Sequence, residues 1–330
     1  MSKNYGIPYM GSKSKIAPYL ADYMINKHPD KSIFIDCCCG GLAISHYILE
    51  NYPSIKIIDN DYEKSLYNLY KAIFSKKESK ELFNKLFSTF VNRDEFIKCL
   101  ENDDAYSVAV RYFYSFGNNG KTYLYSRDIE NEKELLSNLL LFNLDKCTKE
   151  TENTPIIREW YKTLDDDFKK LPYSPIKRMK FLNSLKNHIN ENRYELEQLE
   201  QLEQLQRLQQ LERLELHHGD AIKLLDSLPK EILQDAIVYF DPPYINTSKY
   251  KITDYEFNER IRLWCIEHND ICPCYVSEYT QYEGLSLANY ESKLSLLRAT
   301  EKRTIKKELL MYNDYESEPT LFDLLGGANY

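Results

Sequence analysis

The sequence predicts an α/β fold: a doubly wound sheet interrupted by a long, mostly helical insertion. Three observations carry this. Ile33-Phe34-Ile35-Asp36 is a run of β-formers that ends in the adjacent glycines Gly40-Gly41. Ala236-Ile237-Val238-Tyr239-Phe240 is a second fully apolar run of strand length. Between them, from about Ser75 to Asn192, Lys, Glu, Asn and aromatic residues dominate and strand-like runs are few. Strand, glycine turn, helix, strand, acid is how a doubly wound domain begins.

The elements follow in order. After the strand at Ile33–Asp36 and the turn, Leu42–Leu49 reads as a helix. Ile55–Ile58 reads as the next strand, ending in Asp59-Asn60-Asp61, and a helix runs from about Glu63 to Phe74. Within the insertion, Phe116–Arg127 stands apart. Asn118-Asn119-Gly120 lies beside an alternating aromatic stretch, which suggests a hairpin or exposed loop. In Glu195–Leu216 leucine recurs every third residue. On a helix that stripe drifts by about 60° per step, so it is no coiled-coil seam. Its composition favours a helix serving as a connector. The α/β pattern then returns with a helix at Ile222–Leu228 and strands at Ala236–Phe240, Cys274–Ser277 and Glu308–Tyr312. The expected domains are residues 1–74 with 214–330, an insertion at 75–192, and a connector at 193–213.

Composition narrows the function. Across 330 residues the formal charge is −8, which excludes a histone-like basic coat but not a local basic groove. A hydrophobic share of 43% with 28 tyrosines supplies a folded core. No apolar run approaches a membrane span, and the N-terminus shows no secretory signal. The eight cysteines lack paired zinc-ribbon spacing, so no metal site is expected. Reduced thiols in a cytoplasmic protein are expected, with Cys37–Cys39 as small buried hydrophobes.

Asp241-Pro242-Pro243-Tyr244 follows directly on an apolar strand. In open α/β sheets ligands bind at the carboxyl ends of strands. Two prolines remove two N–H donors and stiffen the backbone. What remains is a carboxylate, carbonyl acceptors and one aromatic face. Such a set suits a planar ring bearing an exocyclic amine. Asp241 and the Pro242 carbonyl can accept both amino hydrogens while Tyr244 stacks. An aromatic amine is a poor nucleophile, and acceptors aimed at its hydrogens stabilise the charge that develops on nitrogen during alkyl transfer. A proline-rich turn with a capping Asp is the bland alternative.

Together with Asp36-Cys37-Cys38-Cys39-Gly40-Gly41, this motif resembles the Dam-like (D12, class α) DNA adenine-N6 methyltransferases, and the resemblance spans nearly the whole chain. It implies a Rossmann-like sheet that binds S-adenosylmethionine, a helical DNA-recognition insertion, double-stranded DNA as partner and base flipping. It leaves a cognate restriction endonuclease open. Asp241, Pro242, Pro243 and Tyr244 would be catalytic. Tyr9, Gly11, Lys13, Asp36, Gly40, Gly41, Asp59 and Asp220 would hold the cofactor, with Asp59 on the ribose hydroxyls and Asp220 near the adenine. Asp59 could otherwise be a turn residue, and Asp220 can also cap a helix. The chain departs from the family loop, acid-Pro-Phe-x-Gly-x-Gly: Cys37 and Cys38 replace Pro and Phe, and Leu42 stands at the last glycine. In the insertion, Asn118, Asn119, Lys121, Tyr123 and Arg127 are the expected DNA contacts. Methylation of cytosine N4 or an RNA base, or an inactive DNA-binding homologue, are the alternatives.

Overall fold

A computed structural model of the chain describes residues 5–86, 88, 90–142, 144–164, 214–244, 252–288 and 309–315. They fall into two compact units. Residues 13–63 and those from 214 onward form one, and residues 5–12 with 64–164 form the other.

The first unit is built on a seven-stranded sheet. Its strands are β1 (Ile33–Asp36), β2 (Lys56–Asp61), β3 (Leu214–His218), β4 (Ala236–Phe240), β5 (Cys274–Glu278), β6 (Ser286–Leu287) and β7 (Leu309–Tyr312), in the order β3-β2-β1-β4-β5-β7-β6. The strands β3 to β5 along this order are parallel, while β7 runs antiparallel to β5 and β6. Every residue of β1, β4 and β5 is buried, as a parallel sheet covered on both faces requires. Among the described residues, the helices of this unit are α1 (Ala17–Lys27), α2 (Ala43–Asn51) and, late in the chain, three more. Ile33, Ile35, Ile58, Val238, Phe240 and Val276 from the strands meet Leu225, Ile261 and Trp264 from those late helices in one core.

The second unit is helical: α3 (Lys64–Phe74), α4 (Lys76–Leu86), α5 (Arg93–Leu100), α6 (Ala105–Phe113), α7 (Glu130–Ser137) and α8 (Thr154–Lys162). The side chains of Asn92 and Asp104 cap α5 and α6 by accepting from Glu95 and Ser107 N–H groups. A π-helical turn at Asn138–Phe142 continues α7. The expected boundary grouped residues 64–74 with the sheet. In the structure Leu66, Leu69, Tyr70 and Ile73 are buried and α3 packs on α4 and α6.

Three late helices complete the sheet unit: α9 (Ala221–Ser227), α10 (Lys230–Gln234) and α11 (Ile252–Glu267). The strands and helices read from sequence are present within a few residues. One expectation is corrected. The end of the leucine tract is strand, not helix: Leu214 and Leu216 pair with Ile57 and Asp59 of β2. Edge pairing overrides their helical composition. Residues 195–213 of that tract lie outside the described residues.

Candidate active site

The strand β4 delivers Asp241 at its carboxyl end. Lys13 Nζ donates to both carboxylate oxygens, at 2.7 and 2.6 Å. Tyr244 Oη donates to Asp241 Oδ1 at 3.0 Å, and its ring lies 4.9 Å from the Lys13 ammonium and edge-on to Tyr279 at 4.6 Å. Asn258, on α11, donates from Nδ2 to the Pro243 carbonyl at 3.1 Å. The Asp241–Tyr244 turn is thus gripped at its carboxylate, its ring and its backbone. Neither Asn258 nor Tyr279 was singled out as a site residue in the sequence. Their partners are remote in the chain and no spacing announces them.

The glycine turn begins where β1 ends. Cys37 N–H donates to the Tyr239 carbonyl and Cys39 N–H to the Asn60 carbonyl, each at 2.9 Å. Asn60 Nδ2 ties the Cys37 and Gly219 carbonyls together, at 3.1 and 3.0 Å. Gly40 has φ +44° and Leu42, which begins α2, has φ +59°. Leu42 therefore adopts a left-handed conformation that a glycine at this position would take without strain. Its side chain is fully buried, and that burial offsets the backbone cost. Cys37 and Cys39 are buried and Cys38 is half-buried; burial pushes all three thiols up, so they are inert at neutral pH.

Asp36 and Asp59 are partners in the register of β1 and β2, and both are buried. Burial and then the neighbouring Asp59 and Asp241 carboxyls push Asp36 well above the usual carboxylate range. Asp59 Oδ1 accepts from Ser45 Oγ at 2.6 Å, while Oδ2 is enclosed with no hydrogen bond among the described residues. Burial raises the Asp59 carboxyl to about 8, against the opposing Ser45 bond. Asp61, two residues on at the end of β2, is placed differently. It is half-buried, Oδ2 accepts from Gly40 N–H at 2.8 Å, and Oδ1 accepts from Glu63 N–H at 2.7 Å. Burial lifts it only to about 6, because these N–H groups favour the charged form. Asp59 and Asp61 share one face of the strand, and Asp61 lies nearer its end. Sequence reading stopped at Asp59 because it ended the strand at Ile58.

Asp220 caps α9, accepting from Lys223 N–H at 3.1 Å, and Arg260 binds it bidentately at 2.7 and 3.0 Å. The guanidinium holds this carboxyl below the usual range. The late segment is also tied in, since Tyr239 Oη and Ser277 Oγ share a hydrogen bond of 2.8 Å.

In the helical unit, the Tyr9 ring lies 5.2 Å from that of Tyr112, and Gly11 has φ +88° in an exposed turn. Phe116–Arg127 forms an antiparallel loop closed by the Ser115–Tyr123 bridge, Phe116 N–H to Thr122 O at 2.7 Å, and Leu124 N–H to Tyr114 O at 2.9 Å. Asn119 Oδ1 accepts from the Lys121 and Thr122 N–H groups at 2.8 and 2.9 Å. Asn118 takes φ +53°, which its short side chain tolerates. Tyr123 turns inward: it is buried, its hydroxyl donates to the Val91 carbonyl at 2.7 Å, and its ring packs on Phe96 and Tyr125. Lys121, Arg127 and the Phe116 ring, which is 66% exposed, face solvent.

Among the described residues no helix is long and apolar enough to cross a membrane. No curated protein sequence matches the chain. Two solved structures of the rRNA methyltransferase AviRa from Streptomyces viridochromogenes are similar at 11% and 10% identity, each with a TM-score of 0.31. They cover 90% and 95% of this chain, and 85% and 87% of theirs. A likeness that distant carries no argument about the reaction. The sequence pattern of the D12 class N6 adenine-specific DNA methyltransferases matches residues 9–282, well over half of the chain, and the motifs at Asp36–Gly41 and Asp241–Tyr244 lie inside that span. The chain belongs to the D12 class N6 adenine-specific DNA methyltransferase family.

Proposed function

We propose that the protein transfers a methyl group from S-adenosylmethionine to N6 of an adenine turned out of double-stranded DNA. The observation that carries this is the acceptor set at the end of β4. Asp241, held by Lys13 and Tyr244, stands beside prolines that offer carbonyls and no N–H. Asp241 accepts one amino hydrogen of the base, while the Pro242 carbonyl accepts the other. Lys13 yields part of its grip as the base arrives. Tyr244 offers the ring its face. These acceptors stabilise the positive charge that grows on N6.

The residues at the carboxyl ends of β1 and β2 fit the cofactor. Of the carboxyls Asp36, Asp59 and Asp61 at this end of the sheet, Asp61, lifted only to about 6, carries negative charge at neutral pH and suits a ligand bearing an ammonium and a sulfonium. When bound, the cofactor supplies an electrophilic methyl on sulfur. Gly40 and Gly41 let the backbone pass close to it, and Leu42 keeps the turn of the missing glycine. That preserved turn weakens the case for an inactive homologue. We assign the ribose hydroxyls to Asp61 in place of Asp59, whose one bonded oxygen serves Ser45 and whose other is sealed. Asp220 stays assigned to the cofactor adenine, with Arg260 fixing it.

The Phe116–Arg127 loop is the proposed recognition element. Lys121 and Arg127 serve phosphates, Asn118 and Asn119 shape the tip, and Tyr123 anchors it from inside. The test is expression in a methylation-free host followed by modification-aware sequencing of its genome. N6-methyladenine at one recurring sequence is expected. An unmodified genome in cells that contain the folded protein would refute the proposal.

A further inference from the structure

Asn258 is a buried amide used by half. It is 2% exposed on α11, and its helical neighbours on the inward face are Ile261, Trp264 and Cys265. Nδ2 donates to the Pro243 carbonyl at 3.1 Å, while Oδ1 is enclosed without a hydrogen bond among the described residues. A half-satisfied amide stabilises a fold less than an aliphatic side chain of the same size in such a place. Stability therefore does not explain an asparagine here.

The one thing the amide does is hold a peptide plane. Pro243 has no N–H, so its carbonyl is the one backbone polar group that residue offers. The Pro243 carbonyl and the Tyr244 nitrogen share a rigid plane, so fixing the oxygen fixes the direction in which Tyr244 leaves the turn. Tyr244 in turn bonds Asp241 Oδ1 at 3.0 Å and packs edge-on against Tyr279. We infer that Asn258 is a positioning residue for methyl transfer: it locks the Pro243–Tyr244 peptide so that the Tyr244 ring and the Asp241 carboxylate face the target base together. This rests on the reading of Asp241–Tyr244 as the catalytic turn.

The test compares Asn258→Leu and Asn258→Asp with the unaltered protein. Methylation of unmethylated plasmid DNA with tritiated S-adenosylmethionine gives kcat, calorimetry gives cofactor Kd, and thermal unfolding gives Tm. Asn258→Leu should keep Tm and Kd and lose roughly 10- to 100-fold in kcat, the scale of an ångström-sized misplacement. Asn258→Asp adds a readout that a merely structural role would not move. Its ionised carboxylate repels the Pro243 carbonyl, whereas its acid form donates to it. Burial raises such a carboxyl, so the variant's kcat relative to the unaltered protein should climb as pH falls from about 8 to about 6. Asn258→Leu should show no such climb. An unchanged kcat in Asn258→Leu, or a flat pH ratio in Asn258→Asp, overturns the proposal. If Asn258→Leu does not fold, the ratio in Asn258→Asp decides. An unaltered protein that methylates no DNA overturns the catalytic-turn reading and the proposal with it.

Discussion

Replacing Asp61 and Asp59 separately by asparagine tests which acid serves the cofactor. Each Asp61 oxygen already takes one backbone N–H, from Gly40 and from Glu63. Asparagine has one acceptor oxygen, so one of those N–H groups is stranded and the charge proposed for the ribose is lost. A hydrogen bond to a charged group is worth about 1.5–3 kcal/mol, so we expect a loss of about 2–3 kcal/mol, roughly 30- to 150-fold in Kd. Asp59→Asn is different. Its carboxyl holds a proton up to about pH 8 and gives one oxygen to Ser45, a bond that asparagine reproduces. Cofactor Kd should stay within about threefold. Titration calorimetry at pH 7.5 reads both. In the unaltered protein affinity should also decline below about pH 6, as Asp61 takes up its proton. A large loss in Asp59→Asn with none in Asp61→Asn would refute the assignment. Stability gives a second check. Below about pH 4 Asp59 is protonated in both folded and unfolded states. From there to about 8 only the folded state keeps the proton, so stability falls as pH rises through that window. Asp59→Asn removes that slope, so its Tm advantage should grow between pH 5 and 8.

Asp241→Ala should lower kcat by roughly 10²–10³ while cofactor binding, read by calorimetry, persists. Near-normal turnover would remove Asp241 from the chemistry. Neutralising Lys121 and Arg127 together should weaken DNA binding and flatten its salt dependence by about one unit of slope for each phosphate no longer neutralised, with cofactor Kd unchanged. An unaltered slope would take the loop away from the phosphates. Leu42→Gly relieves about 1–2 kcal/mol of backbone strain but forfeits a fully buried leucine, so urea unfolding should show a net loss of about 1–3 kcal/mol. A gain in stability would mean that strain outweighs burial there.

Much of the sheet was legible because buried parallel strands are continuous apolar runs. Ala236–Phe240 and Ile33–Asp36 read directly, and the Asp-Pro-Pro-Tyr motif marked where β4 ends. What was not legible depends on contacts distant in the chain. The strand β2 runs on through Asp61 because Asn60 and Asp61 pair with His217 and His218, and that extension moved the end-of-strand acid by two residues. Asn258 meets Pro243 only through the placement of α11, and Arg260 meets Asp220 in the same way. In the Phe116–Arg127 loop, Lys121, Tyr123, Tyr125 and Arg127 lie two residues apart, so spacing alone would give them one face. The tyrosines are buried and the cations exposed, a division set by side-chain chemistry and tertiary packing that the period does not show.

The order of the strands also sets a timetable. The strand β1 is flanked by β2, made soon after it, and by β4, whose Ala236 registers with Ile33 about two hundred residues later. At about 5–20 residues per second, the ribosome takes roughly 10–40 s to deliver that neighbour. During that interval residues 64–164 of the helical unit are synthesised, while Phe34 and Ile35 wait with one edge of their strand open. A nascent chain stalled before Phe240 therefore carries an unpaired apolar strand, the kind of edge on which chains associate. Yield of the folded protein should depend on what shields that edge until β4 emerges.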